Sequence, residues 1–198
     1  MRINLTLAII AANVLLYLVE LSMPEWMIVN FALWPLNSGG QSPGSFQLWQ
    51  LVSYSFLHDW NSWTHLLLNM WGLFMFGQSV EEVLGMKRYA GLYISSVLAA
   101  AFTQLAFYYI GGMPPGPTVG ASGAVFGVML AYAYFFPERK LLLIFLPIPL
   151  PARVFVVLYA ALELFLGVTG TQEGVAHFAH LGGLLGALAF LRRPAARR

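Results

Sequence analysis

Long runs of apolar residues, each closed by a short polar or charged stretch, make up most of the chain. Six of these runs approach the roughly 20 helical residues that cross a hydrocarbon core. Backbone groups in lipid must be satisfied within a segment, and the runs lack the alternation of barrel strands, so each predicts a helix. The predicted fold is an all-α polytopic membrane bundle, with spans at about 3–21, 63–80, 89–110, 121–136, 152–168 and 175–191.

The composition is that of a membrane protein. Hydrophobic residues make up 59% of the 198 residues and charged residues 9%, whereas about a quarter of an average soluble domain is charged. Cysteine is absent, which excludes disulfides, thiolate catalysis and Cys-ligated metals. The first run has no small-residue cleavage pattern, so we expect it to be retained. We predict a single membrane domain in the lipid bilayer, without a soluble domain, a seventh span or a nucleic-acid partner.

The distribution of basic residues predicts the orientation. With six spans, all ten Lys and Arg residues fall on one side, whereas five spans would break this segregation. The positive-inside rule makes that side cytoplasmic and places both termini there. Short loops and the lack of a transit segment favour a bacterial plasma membrane. The ten residues are Arg2, Lys87, Arg88, Arg139, Lys140, Arg153, Arg192, Arg193, Arg197 and Arg198.

The first outer connection, residues 23–62, is too long for a passive loop. Tryptophan favours the headgroup level, so we predict short amphipathic helices lying in the interface. These would either form a lateral wall of a site or only anchor the chain. His58 is predicted to be a loop or interface histidine. The tryptophans of the segment are Trp26, Trp34, Trp49 and Trp60, with Trp63 just beyond.

Three polar clusters lie at the predicted outer ends of spans two, four and six. These spans all run from outside to inside, so His65, Ser122 and His180 share one depth. Residues 121–136 cover about 24 Å as a helix, against about 30 Å of hydrocarbon. We therefore expect Ser122 to lie several ångströms below the outer surface, in a protein-lined, water-filled depression.

Ser122, in the sequence Gly120-Ala121-Ser122-Gly123, is the candidate nucleophile, and His180 is the candidate base. An imidazole is suited to take the serine proton near neutral pH. Small residues let helix backbones approach closely in lipid, which would bring the two side chains within hydrogen-bond reach. Phe126 lies on the same helical face as Ser122 and could pack against the imidazole. The small residues are Gly123 and Gly127 on span four, and Ala179, Gly182, Gly183 and Gly186 on span six.

Acyl transfer also needs donors aimed at the developing oxyanion. His65 and Asn69 are four residues apart, so both side chains lie on one face of span two. The backbone N–H of Ser122 lacks an intrahelical partner and is a natural third donor.

Other interpretations of the same residues remain open. Small residues around a serine are also typical of a packing ridge between membrane helices. His177 and His180 could instead bind a metal, with Glu163 or Glu173 as a further ligand.

The carboxylates near the predicted span ends have several possible roles. Glu163 could orient a histidine, line a water path, or be a neutral acid hydrogen-bonded within the bundle. Glu81 and Glu82 end span two, close to Lys87 and Arg88, and we expect them to be structural.

In their order and topology, these motifs resemble the rhomboid intramembrane serine proteases over nearly the whole chain, above all residues 49–190. The shared features are Trp49 in the first loop, His-x-x-x-Asn on span two, Gly-x-Ser-Gly on span four and Ala-His-x-x-Gly on span six. The resemblance implies a protease of the basic six-span bacterial type. It implies a Ser–His dyad without an aspartate, in which His65 and Asn69 stabilise the oxyanion. It also implies single-span membrane proteins as substrates and no metal or organic cofactor.

Three positions depart from the usual rhomboid pattern. Gln50 follows Trp49 where an arginine is common, His177 stands where asparagine is common, and Phe126 replaces a tyrosine that often stacks on the catalytic histidine. Inactive relatives lack the serine or the histidine, and this chain has both. The competing hypotheses are an inactive rhomboid-like protein that binds membrane clients and a small transporter or metal-binding bundle.

Overall fold

The structure is a computed structural model that describes residues 4–36, 42–111, 116–143, 146–170 and 175–192. Helices dominate these ranges, and the prediction of an all-α polytopic membrane fold is confirmed. The helices are α1 (Leu5–Ser22), α2 (Pro24–Phe31), α3 (Gln50–Ser53), α4 (Trp63–Gly72), α5 (Gln78–Leu84), α6 (Met86–Gly111), α7 (Ser122–Phe135), α8 (Ala152–Thr169) and α9 (His177–Leu191).

A helix occupies each of the six predicted runs. The second run is a continuous helical segment in which a π-helical turn, Leu73–Gly77, joins α4 to α5. In the described part of the chain, three stretches are long and apolar enough by themselves to cross a membrane: Leu5–Ser22, Met86–Ile110 and Ala152–Thr169. The apolar helices α7 and α9 are shorter, at 14 and 15 residues. Six crossings therefore stay a prediction.

Helix α9 packs closely against both α6 and α7, which also contact each other. A Cβ added to Gly183 would overlap the backbone of Gly123 on α7. On the side facing α6, a Cβ on Gly182 would lie 2.7 Å from the Ala99 carbonyl oxygen. The thin faces predicted for spans four and six are thus where these helices meet, and α9 has a second thin face toward α6.

Helices α1 and α8 turn apolar side chains outward. Leu15 on α1 is 63% exposed, and Phe165 on α8 is 62% exposed. A soluble protein would rarely leave such continuous apolar faces uncovered, whereas a lipid environment stabilises them. The outward faces of these two helices agree with membrane integration.

Glu81, which we expected to be structural, contacts the start of α1. Its carboxylate accepts hydrogen bonds from the Leu5 N–H at 2.7 Å, the Thr6 N–H at 2.8 Å and the Thr6 hydroxyl at 2.8 Å. The first N–H groups of a helix have no partner within it and carry partial positive charge. Glu81 therefore joins the second helical run to the first.

Between α7 and α8 lies an antiparallel hairpin that sequence analysis missed, with strands β1 (Lys140–Leu143) and β2 (Leu146–Pro151). Lys140 is opposite Pro151. The hairpin does not alter the helical class, since it belongs to a connection.

The predicted outer connection contains α2, α3 and a 3-10 turn, Tyr54–Phe56, so short helices are present as predicted. Trp26 and Trp49 are both 54% exposed, but Trp34 is buried among Met27, Ile28 and Leu57. The Trp34 indole N–H donates to the Ile28 carbonyl at 3.1 Å. The headgroup placement is therefore wrong for Trp34, which belongs to a small core of its own.

Gln50, which stands where rhomboids commonly have arginine, is fully buried. Its hydrogen bonds hold separate parts of this connection together. Its carbonyl oxygen accepts from the Trp34 N–H at 3.3 Å and the Gln47 N–H at 3.1 Å. Its amide donates to the Asn30 carbonyl at 3.3 Å and the Ser45 carbonyl at 3.1 Å. A neutral amide, which both donates and accepts, thus satisfies four backbone groups here.

Some sequence predictions fall outside the described residues. They concern Ile3 at the start of span one, Glu173 as a possible metal ligand, and the basic residues Arg2, Arg193, Arg197 and Arg198.

Candidate active site

The segment before α7 is held by the first connection. Leu33 and Thr118 form a β-bridge in which each N–H donates to the other's carbonyl at 2.9 Å. The Gly120 N–H donates to the Tyr54 carbonyl at 3.0 Å. These bonds fix the backbone just before Ser122, which is the first residue of α7 and is partly exposed.

Gly120 has a backbone conformation and a neighbour that both require glycine. Its φ is +125°, where side chains are rarely found. A Cβ there would lie 2.9 Å from Nε2 of His65. Gly120 therefore lets the His65 imidazole approach the start of α7.

Ser122 and His180 are in direct contact. Nε2 of His180 lies 2.7 Å from Oγ of Ser122, a short hydrogen bond between the start of α7 and the first turn of α9. His180 is 8% exposed. The close approach of the two helices at Gly123 and Gly183 brings these side chains within reach.

An aromatic stack holds one face of the His180 ring. Phe126 lies parallel to the imidazole, with ring centroids 4.4 Å apart and an interplanar angle of 8°. Tyr159 of α8 stacks in turn on Phe126, with centroids 5.2 Å apart. Phe126 thus has the packing geometry that its spacing from Ser122 suggested, and it restricts rotation of the imidazole.

Glu163 of α8 completes the arrangement in a way that the sequence left open. Its Oε2 lies 2.8 Å from Nδ1 of His180 and 2.7 Å from Nδ1 of His177. All three side chains are buried. The sequence marked this carboxylate as a candidate functional group because it lies within a membrane helix. Which of its three possible roles applies depends on how α8 faces α9. The structure places it against the histidines, whereas the resemblance implied a Ser–His dyad without an aspartate.

The same three groups are a possible metal-binding cluster. Their ligand atoms all lie within 4.8 Å of one another. Two ligands of a tetrahedral zinc ion, each about 2.1 Å from it, are about 3.4 Å apart. The oxygen–nitrogen distances of 2.7 and 2.8 Å are shorter and match charge-assisted hydrogen bonds. The observed geometry therefore fits hydrogen bonding better than zinc ligation.

His65 directs one ring nitrogen toward the start of α7. Its Nδ1 accepts a hydrogen bond from the Asp59 N–H at 3.4 Å, so in the neutral ring the hydrogen is on Nε2. That Nε2 is the atom nearest to a Cβ placed on Gly120, a point that also lies 3.5 Å from Oγ of Ser122. His65 thus presents an N–H donor beside the serine hydroxyl.

Asn69 lies one turn further along α4 and is buried. Its amide nitrogen donates to the His65 carbonyl at 2.9 Å. This bond uses one of the two amide hydrogens and leaves the second as a donor.

His58 lies in the loop that follows Tyr54–Phe56, so the loop alternative of its prediction is confirmed, but it is buried rather than in the interface. Its ring packs edge-on against His65, with centroids 5.1 Å apart. Burial, and secondly the nearby His65, lowers the pKa of His58 to about 3. A neutral His58 therefore supports the His65 ring without adding charge beside it.

The fold and this site define a polytopic helical membrane protein in which a serine and a histidine from two helices meet. Comparison with known proteins gives the family: the Rhomboid domain matches residues 45–193. The chain belongs to the rhomboid family.

Named relatives include mitochondrial and bacterial proteins. Rhomboid protein 1, mitochondrial, of Saccharomyces cerevisiae is 35% identical over 50% of this chain and 28% of its own length. Presenilin-associated rhomboid-like protein A, mitochondrial, of Danio rerio is 34% identical over 68% of this chain and 34% of its own. Rhomboid protease GlpG of Yersinia pestis is 29% identical over 68% of this chain and 44% of its own. The chain spans less than half the length of these relatives.

Proposed function

We propose that the protein is an intramembrane serine endopeptidase, with Ser122 as nucleophile and His180 as general base and then acid. The observation that carries the proposal is the 2.7 Å contact between Ser122 Oγ and His180 Nε2. A serine hydroxyl needs an adjacent base to react, and this geometry supplies one. Membership of a family that includes a rhomboid protease supports the same reaction.

The reaction begins when Nε2 of His180 takes the proton of Ser122 as Oγ attacks the peptide carbonyl carbon. The carbonyl π electrons move to oxygen and form a tetrahedral oxyanion. As the C–N bond breaks, His180 returns the proton to the leaving amine, which leaves an acyl ester on Ser122. Water then attacks the ester while His180 takes its proton, and transfer of that proton to Oγ releases the acid and restores the serine.

We propose that three donors stabilise the oxyanion: the His65 Nε2–H, the second amide hydrogen of Asn69, and the Ser122 backbone N–H. The hydrogen-bond pattern of His65 supports its share of this role, because its Nδ1 acts as the acceptor. Donors that are already in place where charge develops lower the barrier without reorganisation. The nucleophile and base would be held in their relative positions by Gly120, Gly123 and Phe126.

The proposed substrates are single-span membrane proteins, cleaved in or near their membrane segments. We propose six crossings with the site near the outer face and both termini on the side that carries the basic residues. This arrangement is the basic six-span type expected from the motifs. The mitochondrial relatives give no support to a bacterial plasma membrane, so we propose integral membrane location without assigning the membrane.

Cleavage of a single-span model substrate in liposomes tests the proposal. We expect the wild-type protein to cleave it and Ser122→Ala to reduce the rate at least about 10⁴-fold, because the nucleophile is lost. Ser22→Ala is the matched control: this hydroxyl lies on α1, bonded to the Leu18 carbonyl at 3.3 Å, and its loss should leave the rate unchanged. Equal client binding without cleavage by wild type and Ser122→Ala would favour an inactive rhomboid-like protein instead.

A further inference from the structure

The strongest unexplained feature is the buried carboxylate that faces both histidines of α9. Glu163 comes from α8, whereas Ser122 and His180 come from α7 and α9. Glu163 is 5% exposed, and one of its oxygens, Oε2, contacts Nδ1 of both His177 and His180. A buried charge at such a position is costly unless it is hydrogen-bonded. Glu163 is therefore a buried carboxylate in direct hydrogen-bond contact with His180, the proposed base.

We propose that Glu163 is a positioning residue that fixes the tautomer and orientation of His180, so that Ser122, His180 and Glu163 act as a triad. This inference rests on the proposed function. It adds a carboxylate to the Ser–His dyad without an aspartate that the rhomboid resemblance implied.

The Glu163 carboxylate decides which ring nitrogens of the two histidines carry hydrogen. Two ring nitrogens converge on the single oxygen Oε2, an arrangement that suits an ionised carboxylate. An ionised carboxylate only accepts hydrogen bonds, so both Nδ1 atoms carry hydrogen. A neutral imidazole with hydrogen on Nδ1 has its lone pair on Nε2. In His180 that Nε2 faces the Ser122 hydroxyl at 2.7 Å. The carboxylate thus selects the tautomer in which His180 can accept the serine proton.

A positive charge forms on the His180 ring during the reaction. When His180 takes the proton it becomes an imidazolium, inside a site where His180 and Glu163 are both buried. A fixed negative charge 2.8 Å from Nδ1 stabilises this cation in the transition state. Phe126 restricts the ring on one face but provides no such charge. Glu163 therefore contributes both orientation and electrostatics.

His177 has a supporting part. It lies three residues before His180 on the same helix and donates to the same oxygen at 2.7 Å. Its Nε2 is buried without a hydrogen-bond partner among the described residues, so its polar contact here is with Glu163. His177 holds the carboxylate in place, and its loss should be less harmful than loss of Glu163.

Glu163→Gln tests the proposal because it keeps the volume and removes the charge. We expect kcat for the single-span substrate to fall about 10²- to 10⁴-fold with KM nearly unchanged. We also expect the acid limb of the kcat/KM–pH profile to move to lower pH, since the cationic form of His180 loses its counter-charge. Among the described residues, the titratable groups near His180 are Glu163, His177, Tyr159 and His65. A merely structural role would lower the active fraction without moving the limb.

Two comparisons sharpen the test. Glu81→Gln is the control, because the Glu81 carboxylate accepts its hydrogen bonds from α1 and not from the histidines. It should leave the acid limb of the pH profile in place. Glu163→Asp keeps the charge, so kcat should fall but the limb should stay near its wild-type position. ¹⁵N NMR of the wild-type protein with labelled histidines reports the tautomer of His180 without a substitution that could impair folding. We expect His180 to carry hydrogen on Nδ1.

The triad and the proposed function fail on different results. The triad is overturned if the wild type cleaves the substrate and Glu163→Gln either keeps the wild-type kcat or loses rate without a shift of the acid limb. The proposed protease function would still hold in that case. An Nε2–H tautomer for His180, or activity that EDTA abolishes and Zn²⁺ restores, also overturns it, the latter in favour of a metal site. A wild type that neither cleaves the substrate nor reacts with a fluorophosphonate at Ser122 overturns the proposed function, and the triad with it.

Discussion

Replacing His180 with alanine is expected to reduce the cleavage rate about 10⁴- to 10⁶-fold. The imidazole is the group that contacts the Ser122 hydroxyl, with Nε2 and Oγ 2.7 Å apart. Without it, a serine at its ordinary pKa has no acceptor for its proton, and the leaving amine has no donor. The measurement is initial cleavage of a single-span substrate in liposomes.

The double variant Ser122→Ala/His180→Ala should be scarcely slower than either single variant. Residues that act as one unit are strongly non-additive, because removing either one already disables the shared step. Thermal unfolding of each variant controls for folding. If the rate reductions of the two single variants multiply in the double variant, Ser122 and His180 do not act jointly. A His180→Ala protein that folds and keeps more than about a tenth of the wild-type rate would also contradict a joint role.

Gly183→Leu should abolish most activity, although Gly183 is not one of the proposed catalytic residues. A Cβ at this position would overlap the Gly123 backbone, so α7 and α9 must separate. Ser122 and His180 lie on those two helices, and their contact would lengthen. A displacement of about 1 Å can cost about 100-fold in rate, so we expect at least that loss.

Ala189→Leu is the matched control for Gly183→Leu. It adds the same side chain to the same helix at an exposed position, where it does not face α7. We expect wild-type cleavage and thermal stability for this variant. If Gly183→Leu cleaves as fast as Ala189→Leu, the close approach of α7 and α9 is not what holds the serine against the histidine.

The sequence predicted the helical runs well because lipid imposes a simple rule on them. Each apolar run corresponds to a helix, and the starts of α7 and α9 lie within two residues of the predicted span starts. The proximity of Ser122 and His180 could also be expected, since glycines mark where helices approach closely. The number of crossings is less accessible, because α7 and α9 are short and the second run contains a π turn.

The role of Glu163 could not be predicted, although its position in a span marked it as unusual. Sequence spacing relates residues within one helix, as for His177 and His180, but not the rotation of α8 relative to α9. That rotation decides whether the carboxylate faces lipid, water or the two histidines. The contact at 2.8 Å is a result of tertiary packing.

The first connection was harder to predict for a similar reason. Gln50 satisfies backbone groups at Asn30, Trp34, Ser45 and Gln47, a set that no short pattern reveals. Trp34 was assigned to the interface on the preference of its residue type, whereas the fold buries it in a local core. Preferences of single residues give way to packing where a segment folds back on itself.

The most direct test of the central claim is reaction of the wild-type protein with a fluorophosphonate, followed by mass-spectrometric mapping of the adduct. Only a hydroxyl with an adjacent base should react. The account predicts one adduct, on Ser122, that is absent in Ser122→Ala and strongly slowed in His180→Ala, while Ser42 and Ser45 stay unmodified. Labelling that persists in Ser122→Ala, or an adduct on Ser42 or Ser45 with Ser122 unmodified, would contradict it.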